Sequence, residues 1–212
     1  DTVIEELLRM YDGTIRQADA LVKRLLDVVD LSSTLVVITA DHGEGFGEYS
    51  RIRDDIRIFG HAYGLHESQL HVPLIVKSPS QKSGMRKGGL ASITEFPEVV
   101  KSHLSETDAT CDFTVDRGYA STHKVHYSDE LTAETSKNFD GESYALYEFD
   151  GNSIQKHLWW DDTEVTVNFN GDQPSIQDGG GDVRDAFDAL DEVSAYAGGD
   201  SVSKSTAETL EE

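Results

Sequence analysis

Cysteine is almost missing from this chain: Cys111 is the only one among 212 residues. That excludes an intramolecular disulfide and a cysteine-based zinc site. Basic residues are also scarce, 18 Lys and Arg against 40 Asp and Glu, leaving a formal net charge of −22. A surface this acidic repels phosphate backbones and anionic lipid, so neither nucleic acid nor a membrane is an expected partner. No apolar run approaches the ~18 residues of a membrane span, and residues 1–20 lack the charged start and apolar middle of a signal peptide. These absences say little about export, because the chain reads as beginning in mid-fold; a cytoplasmic location is the expectation. There is no internal repeat. The acidic, Lys-poor composition is that of a halophile, whose carboxylates stay hydrated in concentrated salt; an ordinary acidic protein is the plain alternative.

What is present is unevenly distributed. Residues 1–110 carry 17 acidic and 12 basic residues, a net of −5, whereas residues 111–212 carry 23 and 6, a net of −17. This shift predicts two structural units, 1–110 and 111–197, with the boundary in the polar stretch Ser105–Asp112 and a disordered Ser/Thr/Glu-rich tail at 198–212.

In the first unit Ile4, Leu7, Leu8, Tyr11, Ile15, Ala18, Val22, Leu25 and Val29 recur every three or four residues, predicting one long amphipathic helix. The apolar run Leu35–Ala40 reads as a strand buried on both faces of a parallel sheet. A Gly-rich charged loop over 43–60 follows, then a second apolar strand, His71–Lys77, with Pro73 at its start. Thr94-Glu95-Phe96-Pro97 reads as a helix start. This order is α/β. The second unit predicts antiparallel strands at Tyr144–Phe149, Ser153–Trp160 and Thr163–Phe169, the first two joined by a turn at Asp150-Gly151-Asn152. A linker at Asp178–Asp182 and a short helix, Val183–Tyr196, complete it.

The most informative feature is the tetrad Asp41-His42-Gly43-Glu44, which emerges where the first strand stops. Ligands bind at the carboxyl ends of strands in open α/β sheets, and carboxylate and neutral imidazole are good donors to divalent metals. Adjacent side chains of a strand face opposite ways, so Asp41 and His42 share a metal only if the chain turns, which Gly43 permits. The alternative is an Asp that caps the next segment beside a surface His. Residues 41–71 hold four of the eight histidines: His42, His61, His66 and His71. Glu44 and Glu48 read as residues that order the loop, and Gly43-x-Gly45-x-Gly47 is too weak a pattern to argue a phosphate cradle.

Together these blocks resemble the sulfatases, a branch of the alkaline phosphatase superfamily. The similarity runs through Tyr11–Ile15 and Asp19, the Thr34–Ala40 strand, Asp41–Glu48, Gly60-His61, Leu65-His66-Glu67 and His71–Val76. It covers residues 3–80 well and the 92–104 helix more loosely, and the strands from 144 to 169 look like that family's small C-terminal antiparallel sheet. The resemblance implies a partial alkaline-phosphatase-like sheet with flanking helices, followed by a small antiparallel β subdomain with a C-terminal helix. It implies that Asp41 and His42 are metal ligands for a divalent cation (Ca, Mg, Mn or Zn), and that His61 is the catalytic group reaching the ester's charged oxygens. His66 stands where many relatives have Tyr and reads as packing; His71 reads as structural.

One block of the family is missing. No Cys/Ser-x-Pro-x-Arg motif, whose first residue matures to formylglycine in sulfatases, occurs in the chain, and neither does the first strand's paired Asp. The resemblance therefore implies the C-terminal portion of a sulfatase, truncated, a fragment or one piece of a split protein, with the formylglycine nucleophile in the N-terminal half. The expected substrate is a small-molecule or saccharide sulfate ester and the expected protein partner an N-terminal sulfatase half. Alternatives are a phosphoester hydrolase of the same superfamily and a non-catalytic remnant or interaction module. The three arginines of the 49–60 loop suit either an anionic substrate or a solvated loop balanced by Asp54 and Asp55.

Overall fold

The computed structural model describes residues 2–61, 63–79, 81–104, 112–122, 143–160, 163–169, 174–179, 183 and 185–187. Cys111, most of the predicted 105–112 boundary, much of the 183–196 helix and the 198–212 tail lie outside the described residues. Val183 and residues 185–187 are helical.

The 3.6-residue apolar recurrence forms helix α1, Thr2–Leu26. Its apolar stripe is only partly used. Tyr11 packs edge-on against Phe46 with ring centroids 5.0 Å apart, yet no residue of α1 is buried, and Leu7, Leu8, Ile15 and Leu25 stay exposed. Among the described residues no helix is long and apolar enough to cross a membrane.

The first apolar run forms β1, Val36–Thr39. The 43–60 segment, expected to be a loop, is instead a hairpin of β2, Gly45–Tyr49, and β3, Arg57–Gly60. Gly45 and Gly47 hide the period-two signal, and the register shifts between Phe46 and Glu48, where Gly47 takes a positive φ of 103°. A one-turn helix α2, Glu67–Leu70, leads through Pro73 into β4, Leu74–Lys77. β4 pairs with β1 antiparallel, Val36 opposite Lys77 and Thr39 opposite Leu74. The expected parallel, doubly covered strand is thus corrected. A short apolar run specifies a strand but not its direction, and here the intervening hairpin and α2 bring the chain back in the opposite sense. A 3₁₀ turn at Ile93–Glu95, capped by Ser92, opens helix α3, Phe96–Leu104.

The second half is a five-stranded antiparallel sheet in simple sequence order: β5 Arg117–Thr122, β6 Ser143–Phe149, β7 Ile154–Trp160, β8 Thr163–Asn168 and β9 Ser175–Asp178. The β6–β7 turn forms as the sequence implies, with the Asp150 carboxylate accepting from the backbone N–H groups of Asn152 and Ser153. β5 and β9 had no legible pattern.

The sheet's inner face carries the main core. Ala145, Leu158, Val165 and Val167 surround Leu65 from the α2 approach, and Trp160 joins Ile56 and Ile58 of the hairpin. The antiparallel sheet therefore shares its core with the segment that follows the DHGE tetrad, and buries the back of the hairpin and the 61–70 loop.

Candidate metal centre

β1 ends at Thr39 and the chain bends at Asp41. The anticipated turn exists, and α2 pins it. The Gly43 N–H donates to the Gln69 carbonyl at 2.7 Å, and a Cβ at Gly43 would stand 2.0 Å from the Ser68 carbonyl oxygen. Only glycine permits that approach.

The turn folds Asp41 and His42 toward each other. Asp41 Oδ1 accepts from the His42 N–H at 3.0 Å, and Asp41 Oδ2 lies 3.7 Å from His42 Nε2. His42 Nδ1 donates to the Gly43 carbonyl at 2.9 Å, so in the neutral ring Nε2 carries the lone pair. A carboxylate oxygen and an imidazole nitrogen are donor types that divalent cations take.

His61 arrives from the other side. β2 and β3 pair Gly45 with Gly60, so the next residues outward, Glu44 and His61, become cross-strand neighbours. His61 Nδ1 donates to Glu44 Oε2 at 3.1 Å. Gly60 adopts φ +75°, which turns the chain out of β3 and aims His61 at the end of β1. The His42 and His61 rings then stack, with centroids 3.9 Å apart and planes inclined at 22°. One ligand atom from each of His42, Glu44 and His61 can be chosen so that all lie within 4.8 Å of one another. The cluster is open to solvent: the side chains of His42 and His61 are about half exposed, Glu44 is 30% exposed and Asp41 89%. Oxygen and imidazole donors at these separations suit a divalent cation.

Of the residues singled out in the sequence, His42 lies against both Asp41 and His61, while the exposed Asp41 carboxylate stays outside the group formed by His42, Glu44 and His61. Glu44, read as a loop-ordering residue, faces His61 directly. Glu48 does order the hairpin, accepting from the Phe46 N–H at 2.7 Å. His66 is buried and caps α2, its Nδ1 accepting from the Ser68 N–H while Gln69 Oε1 accepts from the His66 N–H. Burial lowers its pKa, against the pull of Glu67. His71 closes the same helix.

A buried ion network fixes the loop that carries His61. Gln69 donates to the carbonyls of Gly60 and Tyr63. Lys156 of β7, fully buried, donates to the Leu65 carbonyl and to Glu67 Oε1, and Arg51 donates to Glu67 Oε2 at 2.9 Å. Burial alone would raise the Glu67 carboxyl, but Lys156 and Arg51 hold it down at about 2. Burial pushes the Lys156 ammonium down to about 8 against the pull of Glu67, and burial raises the neighbouring Tyr147 phenol. No sequence pattern marked Lys156, because a lysine at an inner position of an alternating strand reads as an outward residue.

Residues 2–105, from α1 to just past α3, match the family model described as Sulfatase. The match contains every residue of the candidate centre, while the five-stranded sheet lies outside it. Comparison with curated proteins and with solved structures found no match.

Proposed function

We propose that this chain is the metal-binding portion of a sulfatase-type hydrolase whose intact form cleaves sulfate esters of small molecules or saccharides. One observation carries the reading: the segment similar to the sulfatases also places His42, just past the end of β1, against both Asp41 and His61. Asp41 and His42 would hold the divalent cation, whether Ca, Mg, Mn or Zn, whose charge would polarise the ester oxygens and steady the nucleophile. His61, braced through Nδ1 by Glu44, keeps its other nitrogen toward the ester and, as the imidazolium, gives that nitrogen's proton to the leaving oxygen. With no Cys/Ser-x-Pro-x-Arg motif in the chain, a formylglycine nucleophile would come from a polypeptide that carries one.

The test mixes the full chain with a divalent metal and an aryl sulfate, with and without a polypeptide bearing that motif. Turnover is expected only with the second polypeptide. In Asp41→Ala it should fall by about 10²-fold or more, roughly 2.7 kcal/mol of barrier. An equal or greater rate on the matching aryl phosphate would move the reading to phosphoester hydrolysis. No turnover with any metal or partner would overturn it and leave a non-catalytic chain.

A further inference from the structure

We infer that His42, Glu44 and His61 form a three-donor site that lets this chain alone take up one ion of the zinc class. The inference rests on the local geometry and goes beyond the ester-hydrolase reading, which needs Asp41 and an outside nucleophile. Two imidazoles and a carboxylate make the donor set of many zinc sites that leave an open position for water. Ligand atoms of a tetrahedral zinc site stand about 3.3 Å apart, given bonds of about 2.0–2.1 Å. The three side chains already offer atoms within 4.8 Å of one another, and all three are partly exposed. Rotation of the partly exposed Glu44 and His61 side chains is what would bring their donors to His42 at that spacing.

The backbone is where the organisation lies. Gly43 is held by the Gln69 carbonyl, and the Gly45–Gly60 pairing sets Glu44 opposite His61. Because the His42 Nδ1–H is engaged by the Gly43 carbonyl, its Nε2 is preset as the ligand atom. The donor chemistry also selects the ion. Two imidazoles favour the later first-row metals, whereas Ca and Mg prefer sets made of oxygen. An ion held by all three residues engages the imidazole that would otherwise serve a leaving oxygen. Zinc taken up by these three residues should accordingly lower ester cleavage, because it occupies His61 and competes for His42 with the ion that Asp41 and His42 would hold.

Isothermal titration of the full chain with zinc, in salt high enough to suppress loose binding to its many carboxylates, reads the site without any ester. One ion per chain is expected, with calcium and magnesium unable to compete. His42→Ala, Glu44→Ala and His61→Ala should each weaken binding by about tenfold or more, and Asp41→Ala by less than about threefold. Cobalt supplies a second readout, a visible absorption band of a low-coordinate site that disappears in His61→Ala. Circular dichroism of each variant checks that it folds. Non-saturating zinc binding, or binding unaltered in both Glu44→Ala and His61→Ala, would overturn the inference. A chain that binds zinc in this way yet cleaves nothing leaves it standing while removing the hydrolase reading.

Discussion

Gly43 is the residue on which the centre turns. Any Cβ there meets the Ser68 carbonyl at 2.0 Å, and backbone cannot give way as a flexible side chain can. Gly43→Ala should thus push α2 off the turn, destabilising the fold by about 1–3 kcal/mol, as overpacking typically does, and lowering metal affinity in parallel. Gly13 is the matched control. It lies in α1 with nothing within 4 Å of a built Cβ, so Gly13→Ala should raise stability by up to about 1 kcal/mol. Urea titration of the two variants checks both signs. At this scale the sequence was informative where chemistry and position coincide. Asp41 and His42 stand directly after an apolar run, and Gly43 is the residue that would let them turn. Glu44 was illegible because its role depends on cross-strand register. Only the pairing of Gly45 with Gly60 tells that it meets His61.

Among the contacts that hold the loop between β3 and β4, that of Lys156 with Glu67 ties β7 to the start of α2. Lys156→Met leaves the Glu67 carboxylate, 19% exposed, with Arg51 as its main partner, and should cost about 3–5 kcal/mol, the usual result of breaking a buried pair. Adding Glu67→Leu should recover part of that loss. The acid side of the stability profile reports the same contact. The folded Glu67 value, about 2, lies below its ordinary 4.5. Its stabilisation is therefore complete above the ordinary value and drains away as the pH falls from there through about 2, amounting to about 3 kcal/mol. Denaturant titrations across that window should show this slope in the parent chain and a shallower one in Glu67→Gln. An equal slope would mean that other carboxylates carry the acid sensitivity. Legibility at the scale of elements followed periodicity. β6, β7 and β8 were visible through alternation and the Asp150-Gly151-Asn152 turn, and α1 through its stripe. The β2–β3 hairpin was not, since two glycines stand where alternating side chains would be, nor was the antiparallel sense of β4, which depends on the path between the strands.

The whole molecule carries 22 more negative than positive charges, and this excess sets its response to salt. Exposed ion pairs such as Lys87–Asp112 and Lys101–Glu98 contribute only a few tenths of a kcal/mol each, up to about 1. Salt weakens them, but with 40 acidic residues against 18 basic ones repulsion among the carboxylates outweighs these few attractions. Raising sodium chloride from about 0.1 M to about 1 M shortens the screening length from about 10 Å to about 3 Å and removes most of that repulsion. The Lys156–Glu67 contact, being buried, is screened far less. Salt also strengthens burial of apolar surface to the extent that its ions are excluded from it, which favours the core of Leu65, Ala145, Leu158, Val165 and Val167. All but one of these effects point the same way, and the exception is small. The denaturation midpoint should consequently rise steadily with sodium chloride, the response that a salt-adapted composition requires. Two controls separate the causes. Uncharged sucrose at matched osmolality, which acts through exclusion alone, should give a smaller rise, and Lys156→Met should keep the salt slope of the parent. A midpoint that stays level or falls with salt would mean that the carboxylates are spaced widely enough not to oppose folding, and the halophile reading of this composition would fall with it.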